Sequence, residues 1–179
     1  ADSMQVYKEL RILTARPTHA DEARVPRGVY GSVTVATGVS VGKWLAAAQK
    51  QVEMAVQNGQ IPIFVGGTGL YIKALLDGLA AIPPVGEQAR NKATELYHWL
   101  GAEKFRSELA KRDPESAKTI KVGDKQRMIR AWEVAVATGT PISQWHQKKK
   151  RGRLVGPSLV VKIIPDRAWL YASCERRLH

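Results

Sequence analysis

A short apolar run that ends in glycines and passes at once into a helical pattern constrains this chain most. Residues 61–65 read Ile-Pro-Ile-Phe-Val and predict a buried strand, and residues 66–69 read Gly-Gly-Thr-Gly. A helical pattern follows directly over 72–79, so the stretch predicts a turn between a strand and a helix. In open α/β sheets, ligands bind at the carboxyl ends of strands, where such turns lie.

The glycine turn has two interpretations. Gly66 and Gly67 permit positive φ and a close approach of the backbone to a ligand. Thr68 is a suitable N-cap that still offers a hydroxyl to a ligand. The three residues therefore form either a substrate pocket or an ordinary glycine turn with a threonine cap, because a lone glycine turn is a weak signal.

The flanking pattern favours a parallel α/β layer. Ser40 opens a helix that Gly59 ends, and it feeds the strand at 61–65. A second apolar run at 159–164 predicts another strand of the same sheet, and Asp166 caps a last helix over 167–178. Residues 8–39 show no sustained period and predict a long irregular segment.

A boundary follows at Pro83-Pro84, since neither proline continues a helix or a central strand. Beyond it, helical patterns succeed one another without a strand pattern, over 87–99, 102–111, 114–119, 124–137 and 141–147. We therefore expect an all-helical insertion at 85–147 within an α/β core formed by 1–84 and 148–179.

The positive charge is concentrated in the second part of the chain. The net charge is +12; residues 1–80 carry eight Lys and Arg against six Asp and Glu, and residues 81–179 carry twenty against ten. Such asymmetry indicates a polyanionic partner, nucleic acid first. A basic run at 148–153 is predicted to be a loop. The alternative is a solvated basic surface that serves solubility.

One helix start combines polar and basic side chains. Asp124 can cap it, Arg127 and Arg130 share a face, and Gln126 lies beside them, an arrangement that can meet phosphates and base edges together. Met128 belongs to its predicted buried side. The alternative is an exposed basic helix face.

Other classes of protein are not indicated. No apolar run approaches the ~20 residues of a membrane span, and no signal peptide opens the chain. Cys174 is the only cysteine, so no internal disulfide forms, and the His and Cys residues lack metal-ligand spacing. We expect a cytoplasmic protein without a membrane partner.

Four stretches in this order, 2–7, 14–17, 65–71 and 124–130, resemble the bacterial tRNA dimethylallyltransferase (tRNA isopentenyltransferase) family. The resemblance implies a P-loop-NTPase-like parallel sheet core with an all-helical insertion that grips the tRNA anticodon stem-loop. It implies transfer of a dimethylallyl group from dimethylallyl diphosphate to the exocyclic amine of the adenosine 3′-adjacent to the anticodon. Mg²⁺ would accompany the diphosphate.

The resemblance also implies roles for residues. Asp2 would be the general base, and Gly66, Gly67 and Thr68 would form the substrate pocket. The implied tRNA contacts are Asp2, Ser3, Met4, Gln5, Thr68, Arg90, Gln126, Arg127, Met128, Ile129 and Arg130.

The chain departs from the family pattern in several places. The G-x-x-x-x-G-K-[ST] loop and the later Gly-Tyr-Arg segment are absent, and Arg27-Gly28 stands where a His is usual. We therefore expect this chain to be part of a longer, monomeric protein and to be inactive alone. Two alternatives are a small-molecule or nucleotide kinase of related fold and a non-catalytic RNA-binding module. The kinase would form a phosphorylated metabolite, and the module would bind RNA without a diphosphate pocket.

Overall fold

The computed structural model describes residues 1–148 and 150–178, and this part of the chain is mainly helical. Lys149 of the basic run and His179 lie outside the described residues. The helices are α1 (His19–Arg24), α2 (Val41–Gln57), α3 (Gly69–Asp77), α4 (Glu87–Ala110), α5 (Pro114–Thr119), α6 (Lys125–Thr138), α7 (Ile142–Gln147) and α8 (Arg167–Leu178). Two strands, β1 (Leu79–Ala80) and β2 (Lys150–Arg151), complete the set.

The expected parallel sheet is not present in the described residues, which is a correction. Their one sheet is the antiparallel pair of β1 and β2, with Leu79 opposite Arg151 and Ala80 opposite Lys150. The segments 61–65 and 159–164 are largely exposed and carry no strand. A β-strand is stabilised by backbone hydrogen bonds to a neighbouring strand. An apolar run in the sequence does not show whether such a neighbouring strand is present.

Most helix boundaries follow from local capping, as predicted. The Ser40 hydroxyl accepts a hydrogen bond from the Lys43 backbone N–H at 3.2 Å, and α6 ends at Gly139 in the left-handed conformation. Helix α4 contains a break, because Gly101 has φ 74° and ψ 171°. That break falls between the helices predicted at 87–99 and 102–111.

Two separate hydrophobic clusters hold the chain together. One joins helices α4 to α7 and is built around Phe105, Leu109, Met128, Trp132 and Val134. The other joins the N-terminal segment to α2 and α3, and its buried members are Val6, Trp44, Leu45, Ala48, Tyr71, Ala74 and Leu75. In it the rings of Trp44 and Tyr71 stack with their centroids 4.2 Å apart.

The chain leaves the second cluster at β1 and returns to it after β2. The Leu154 N–H donates to the Leu75 carbonyl at 2.9 Å, and the Gln49 amide donates to the Gly152 carbonyl at 3.1 Å. Gly78 has φ 79°, and a Cβ there would lie 2.6 Å from the Arg151 carbonyl oxygen. The helical segment thus begins and ends at the same place.

Among the described helices, none combines the length and the apolar character that a membrane-spanning helix requires.

Candidate functional site

The carboxylate of Asp2 is fixed by the backbone that follows it. Its Oδ1 accepts hydrogen bonds from the N–H groups of Met4 at 2.7 Å and Gln5 at 3.3 Å. An aspartate that bonds to backbone two and three residues on forms a local turn without help from the rest of the fold. Within the described residues Oδ2 takes part in no such bond, so one oxygen holds the turn and the other is left without a hydrogen-bond partner there.

Thr68 joins the Asp2 turn to the glycine turn. The Ser3 N–H donates to Thr68 Oγ1 at 3.0 Å, Thr68 Oγ1 donates to Ser3 Oγ at 3.4 Å, and the Thr68 N–H donates to the Ala1 carbonyl at 3.2 Å. Thr68 occupies the N-cap position of α3, yet its hydroxyl makes no cap hydrogen bond. The hydroxyl instead serves as the tie between two segments 65 positions apart in the sequence.

The two glycines before Thr68 differ in what surrounds them. Gly66 has φ 148°, and a Cβ there would lie 2.4 Å from the Ala1 carbonyl oxygen, so only glycine fits. At Gly67 a Cβ would meet no atom within 4 Å. Gly66 is therefore required by the fold, whereas Gly67 presents bare backbone to open space.

Gln5 serves the fold rather than an open surface. Its side-chain amide donates to the carbonyls of Thr14 at 3.0 Å and Ala15 at 3.2 Å, and its own carbonyl accepts from the Gly31 N–H. Met4, by contrast, is 46% exposed. Of the 2–5 stretch, Met4 is exposed and Asp2 is partly exposed, whereas Ser3 and Gln5 hold the neighbouring loops.

A phenol and a cleft complete the surroundings of Asp2. Burial raises the pKa of Tyr71, and the nearby Tyr7 and Asp2 raise it further, so Tyr71 stays a neutral phenol at physiological pH. A cleft of about 680 Å³ opens beside Asp2 and is also lined by Arg27, Tyr30 and Phe64. The site thus sets a carboxylate at the edge of a space large enough for a flat ring.

The second group of predicted residues lies at the start of α6. The Asp124 carboxylate caps this helix by accepting from the Arg127 N–H at 3.2 Å, and Arg127 Nε lies 3.3 Å from Asp124 Oδ2. Arg130 Nη1 donates to Glu133 Oε1 at 2.6 Å. Gln126, Arg127 and Arg130 are all exposed, so their polar groups are available to a partner.

Met128 and Ile129 do not fit their predicted role as RNA contacts. Met128 is fully buried and Ile129 is 8% exposed, and both belong to the core of α4 to α7. On a helix, neighbouring positions point in different directions, so residues between two exposed arginines face the packed side. The Met128 assignment came from the family motif, although the helical period of the same stretch already predicted its burial.

Other basic groups lie on the same helical half. Arg90 is exposed in the first turn of α4. Lys125 Nζ lies 3.0 Å from His98 Nε2 and 5.5 Å from the Tyr97 ring centroid, which joins α6 to α4. Sequence reasoning missed this contact and also the Arg130–Glu133 pair, whose opposite charges three residues apart were a usable signal.

The described residues contain no cluster of metal-ligating side chains. They contain no group of three or more His, Cys, Asp or Glu that could hold a metal ion. Mg²⁺ is usually bound by one or two carboxylates together with substrate phosphates and water, an arrangement that does not require such a group in the protein.

Comparison with known proteins adds to this geometry. The family model described as IPP transferase matches residues 5–179. A protein named tRNA dimethylallyltransferase from Rhodospirillum centenum is 44% identical over 181 residues, which is 99% of this chain and 57% of that protein. Another of that name from Methylobacterium sp. is 45% identical over 178 residues, with 99% and 58% covered. The chain thus spans somewhat more than half the length of these relatives.

Solved structures agree with the sequence relatives. The tRNA delta(2)-isopentenylpyrophosphate transferase of Staphylococcus epidermidis is 30% identical and matches with a TM-score of 0.53, over 99% of this chain and 57% of that one. A eukaryotic dimethylallyltransferase acting on tRNA matches with a TM-score of 0.66, over 84% of this chain and 37% of that one. Since it is 24% identical, it bears on the fold alone.

Proposed function

The chain belongs to the IPP transferase family, and from this we propose that it takes part in tRNA prenylation. The reaction transfers a dimethylallyl group from dimethylallyl diphosphate to the exocyclic amine of the adenosine 3′-adjacent to the anticodon. The kinase and the simple RNA-binding module are not favoured by relatives that are named tRNA dimethylallyltransferases at 44% and 45% identity.

The observation that carries the proposal is the held carboxylate of Asp2. An adenine amine is a poor nucleophile, so a positioned base that accepts its proton assists the attack. In the proposed step the amine nitrogen bonds to the allylic carbon and the bond from that carbon to the diphosphate oxygen breaks. The proton passes from the amine to Asp2, and pyrophosphate leaves.

The surroundings of Asp2 support this role. Its Oδ1 is committed to the Met4 and Gln5 N–H groups, so the direction of Oδ2 is set before any substrate arrives. A preoriented base loses little entropy in the reaction. The bare backbone at Gly67 and the cleft beside Asp2 offer room for the base and the diphosphate, and Thr68 keeps the two together.

Helix α6 and its neighbours are the proposed RNA-binding surface. Gln126, Arg127 and Arg130 are exposed on α6, and Arg90 is exposed on α4. Residues 85–147 carry eleven Lys and Arg against eight Asp and Glu, and the larger part of the positive excess follows in residues 148–179, with nine against two. Arginine binds phosphates with two parallel hydrogen bonds, and RNA loops present phosphates and unstacked bases together. We assign residues 85–147 to this surface and 1–84 with 148–179 to the catalytic part.

The remaining partners follow from the same chemistry. We propose that Mg²⁺ arrives on the diphosphate, where it would neutralise the charge of the leaving group. We further propose that the protein acts as a monomer in the cytoplasm, where tRNA is its substrate.

The test of the proposal is the substitution Asp2→Asn in the full-length protein. It keeps the shape and one acceptor oxygen, so the Oδ1 turn survives, but it removes the charge. General-base loss typically costs about 10²–10⁴ in rate, so single-turnover alkyl transfer should slow by that order. The tRNA affinity, measured in a binding titration, should change far less, because phosphate contacts dominate it.

A second variant separates the base from the turn. Asp2→Ala removes both, so it should lose rate like Asp2→Asn and should also lower thermal stability. Wild-type turnover by Asp2→Asn would show that Asp2 only holds the turn. A loss of tRNA binding that matches the loss of rate would instead assign Asp2 to gripping the flipped base.

A further inference from the structure

Glu133 is a buried carboxylate with a single hydrogen-bonding partner. It is 4% exposed, and its Oε1 accepts from Arg130 Nη1 at 2.6 Å. Its Oε2 is buried too, and no group within the described residues bonds to it. A buried charge that is only half satisfied is costly, and an apolar side chain of similar size usually serves stability as well or better. Stability therefore does not account for Glu133.

The partner of Glu133 is held at the surface. The Arg130 side chain is 46% exposed, although the carboxylate that grips it is 5% exposed. A guanidinium carries five N–H donors, and the Glu133 contact occupies only one edge of it. The contact with Glu133 thus holds one end of the guanidinium in place, while the side chain as a whole stays partly exposed to solvent.

The neighbouring arginine on the same helix shows the contrast. Arg127 is 77% exposed and its partner Asp124 is 34% exposed, with 3.3 Å between Arg127 Nε and Asp124 Oδ2. An ion pair in water is weak and holds a long side chain loosely. A pair whose carboxylate is buried is screened much less. Of these two arginines, Arg130 is thus the one with a fixed direction.

We propose that Glu133 is a positioning residue that orients the Arg130 guanidinium toward a phosphate of the bound RNA. An arginine held in its binding rotamer does not have to be ordered when RNA arrives, so its contact is stronger. The inference rests on the proposed function, because it takes the face of α6 to be an RNA-binding surface.

The experiment compares Glu133→Met with wild type in the full-length protein. Methionine has a similar volume and no charge, so the urea midpoint of unfolding should stay equal or rise. The freed Arg130 must then be ordered on binding, which should weaken affinity for the tRNA anticodon stem-loop about 3- to 10-fold. In steady-state turnover the KM for tRNA should rise and kcat should not change.

A double-mutant cycle links the effect to Arg130. Arg130→Gln should weaken binding and lower the slope of log affinity against log salt by about 1. In the Arg130→Gln background, Glu133→Met should cause no further loss. Glu22→Gln is the matched control, because it removes another carboxylate that pairs with a residue three positions away, His19, and both lie outside residues 85–147. It should leave binding unchanged.

The results of these experiments distinguish the positioning role of Glu133 from the RNA-binding role of the α6 face. If Arg130→Gln leaves affinity and salt slope unchanged, the RNA-binding role of this face is wrong. If Arg130→Gln weakens binding but Glu133→Met has an independent, additive effect, the positioning role is wrong. Tighter binding by Glu133→Met would also overturn it, since Glu133 would then merely neutralise Arg130.

Discussion

At the scale of single residues, the two glycines of the turn differ in role: Gly66 is required by the fold, whereas Gly67 leaves backbone accessible to a ligand. Gly66 adopts φ 148° against the Ala1 carbonyl, whereas Gly67 faces open space. The two neighbours share a residue type and a loop, so they form a matched pair for mutagenesis. Their different surroundings lead to opposite expectations for stability and activity.

Gly66→Ala should lower the free energy of unfolding by about 1–3 kcal/mol, since alanine would be strained at this φ and its Cβ would overlap the Ala1 backbone. Gly67→Ala should change it by less than about 0.5 kcal/mol, yet should reduce alkyl transfer if the diphosphate or the base approaches this backbone. Urea denaturation and single-turnover rates measure the two effects. Equal destabilisation by both variants would contradict the distinction, and full activity of Gly67→Ala would place the ligand elsewhere.

At the scale of elements, one buried carboxylate caps two helices. Asp113 accepts from the N–H and hydroxyl of Ser116 at the start of α5, at 3.0 and 2.8 Å. It also accepts from the N–H and hydroxyl of Ser143 at the start of α7, at 3.1 and 2.7 Å. The sequence predicted the first cap from Asp113-Pro114. The second joins positions 30 apart, which local pattern does not reveal.

Asp113→Asn should destabilise the protein by about 1–3 kcal/mol. The amide has one acceptor oxygen, so one of the two backbone N–H groups loses its partner in a buried place. Asp124→Asn is the control, because it caps a single helix at a partly exposed position where asparagine serves equally well. Its effect should stay within about 0.5 kcal/mol in urea denaturation. Comparable losses for the two variants would show that the double cap adds nothing.

The double cap also predicts a dependence on pH. Burial would raise the pKa of Asp113, but the four hydrogen bonds from Ser116 and Ser143 outweigh it and lower the pKa below its ordinary value of 3.8. A lowered folded pKa means that the stabilisation is complete above the unfolded pKa and is lost as pH falls through the folded one. The difference in unfolding free energy between wild type and Asp113→Asn should be constant from about pH 7 to 5 and shrink below about 4. A difference that persists undiminished at pH 3 would contradict this.

The elements also show why some of the fold was predictable. Helices α2, α5 and α6 carry their own start or stop signals in Ser40, Asp113-Pro114, Asp124 and Gly139. Strands depend on partners elsewhere, so the apolar runs at 61–65 and 159–164 predicted a sheet that the described residues do not form. Strands β1 and β2 are two residues long, too short for any period to show.

The site was predictable only in part for a related reason. The motifs located Asp2, Thr68 and the arginines of α6, but motif membership does not distinguish an exposed residue from a packed one. Met128 and Ile129 are buried, which the motif does not reveal. The charge of Glu133 three residues after Arg130 was a usable signal for the pair, but the burial of Glu133 is apparent only from the folded structure.

At the scale of the whole molecule, the two hydrophobic clusters divide the sequence cleanly. The residues of the α4 to α7 cluster all fall between Ile82 and Trp145, and those of the other cluster lie before residue 80, apart from Leu154. A segment that forms its own hydrophobic core can in principle fold independently. The helical half meets this condition.

A fragment of residues 81–148 should therefore fold by itself. Far-UV circular dichroism should show helix, and urea should unfold it in one cooperative transition with a free energy of about 3–5 kcal/mol. It should also bind the anticodon stem-loop without catalysing transfer, since Asp2 is absent from it. A fragment with Val134→Asp, which places a charge in the core, is the control for folding. Helix content that melts without cooperativity would show that the half depends on the remainder.

The pairing of β1 with β2 also determines where a force on helices α4 to α7 is transmitted to the rest of the chain. The helical half leaves the rest of the chain at Ala80 and rejoins it at Lys150, and these two residues are partners in one ladder. A force applied to α4 to α7, such as one exerted by the RNA that we propose binds there, would therefore reach the rest of the chain at one place, through two adjacent strands. Gly78 lets the Arg151 backbone come close there, so a bulkier residue at 78 would force β1 and β2 apart.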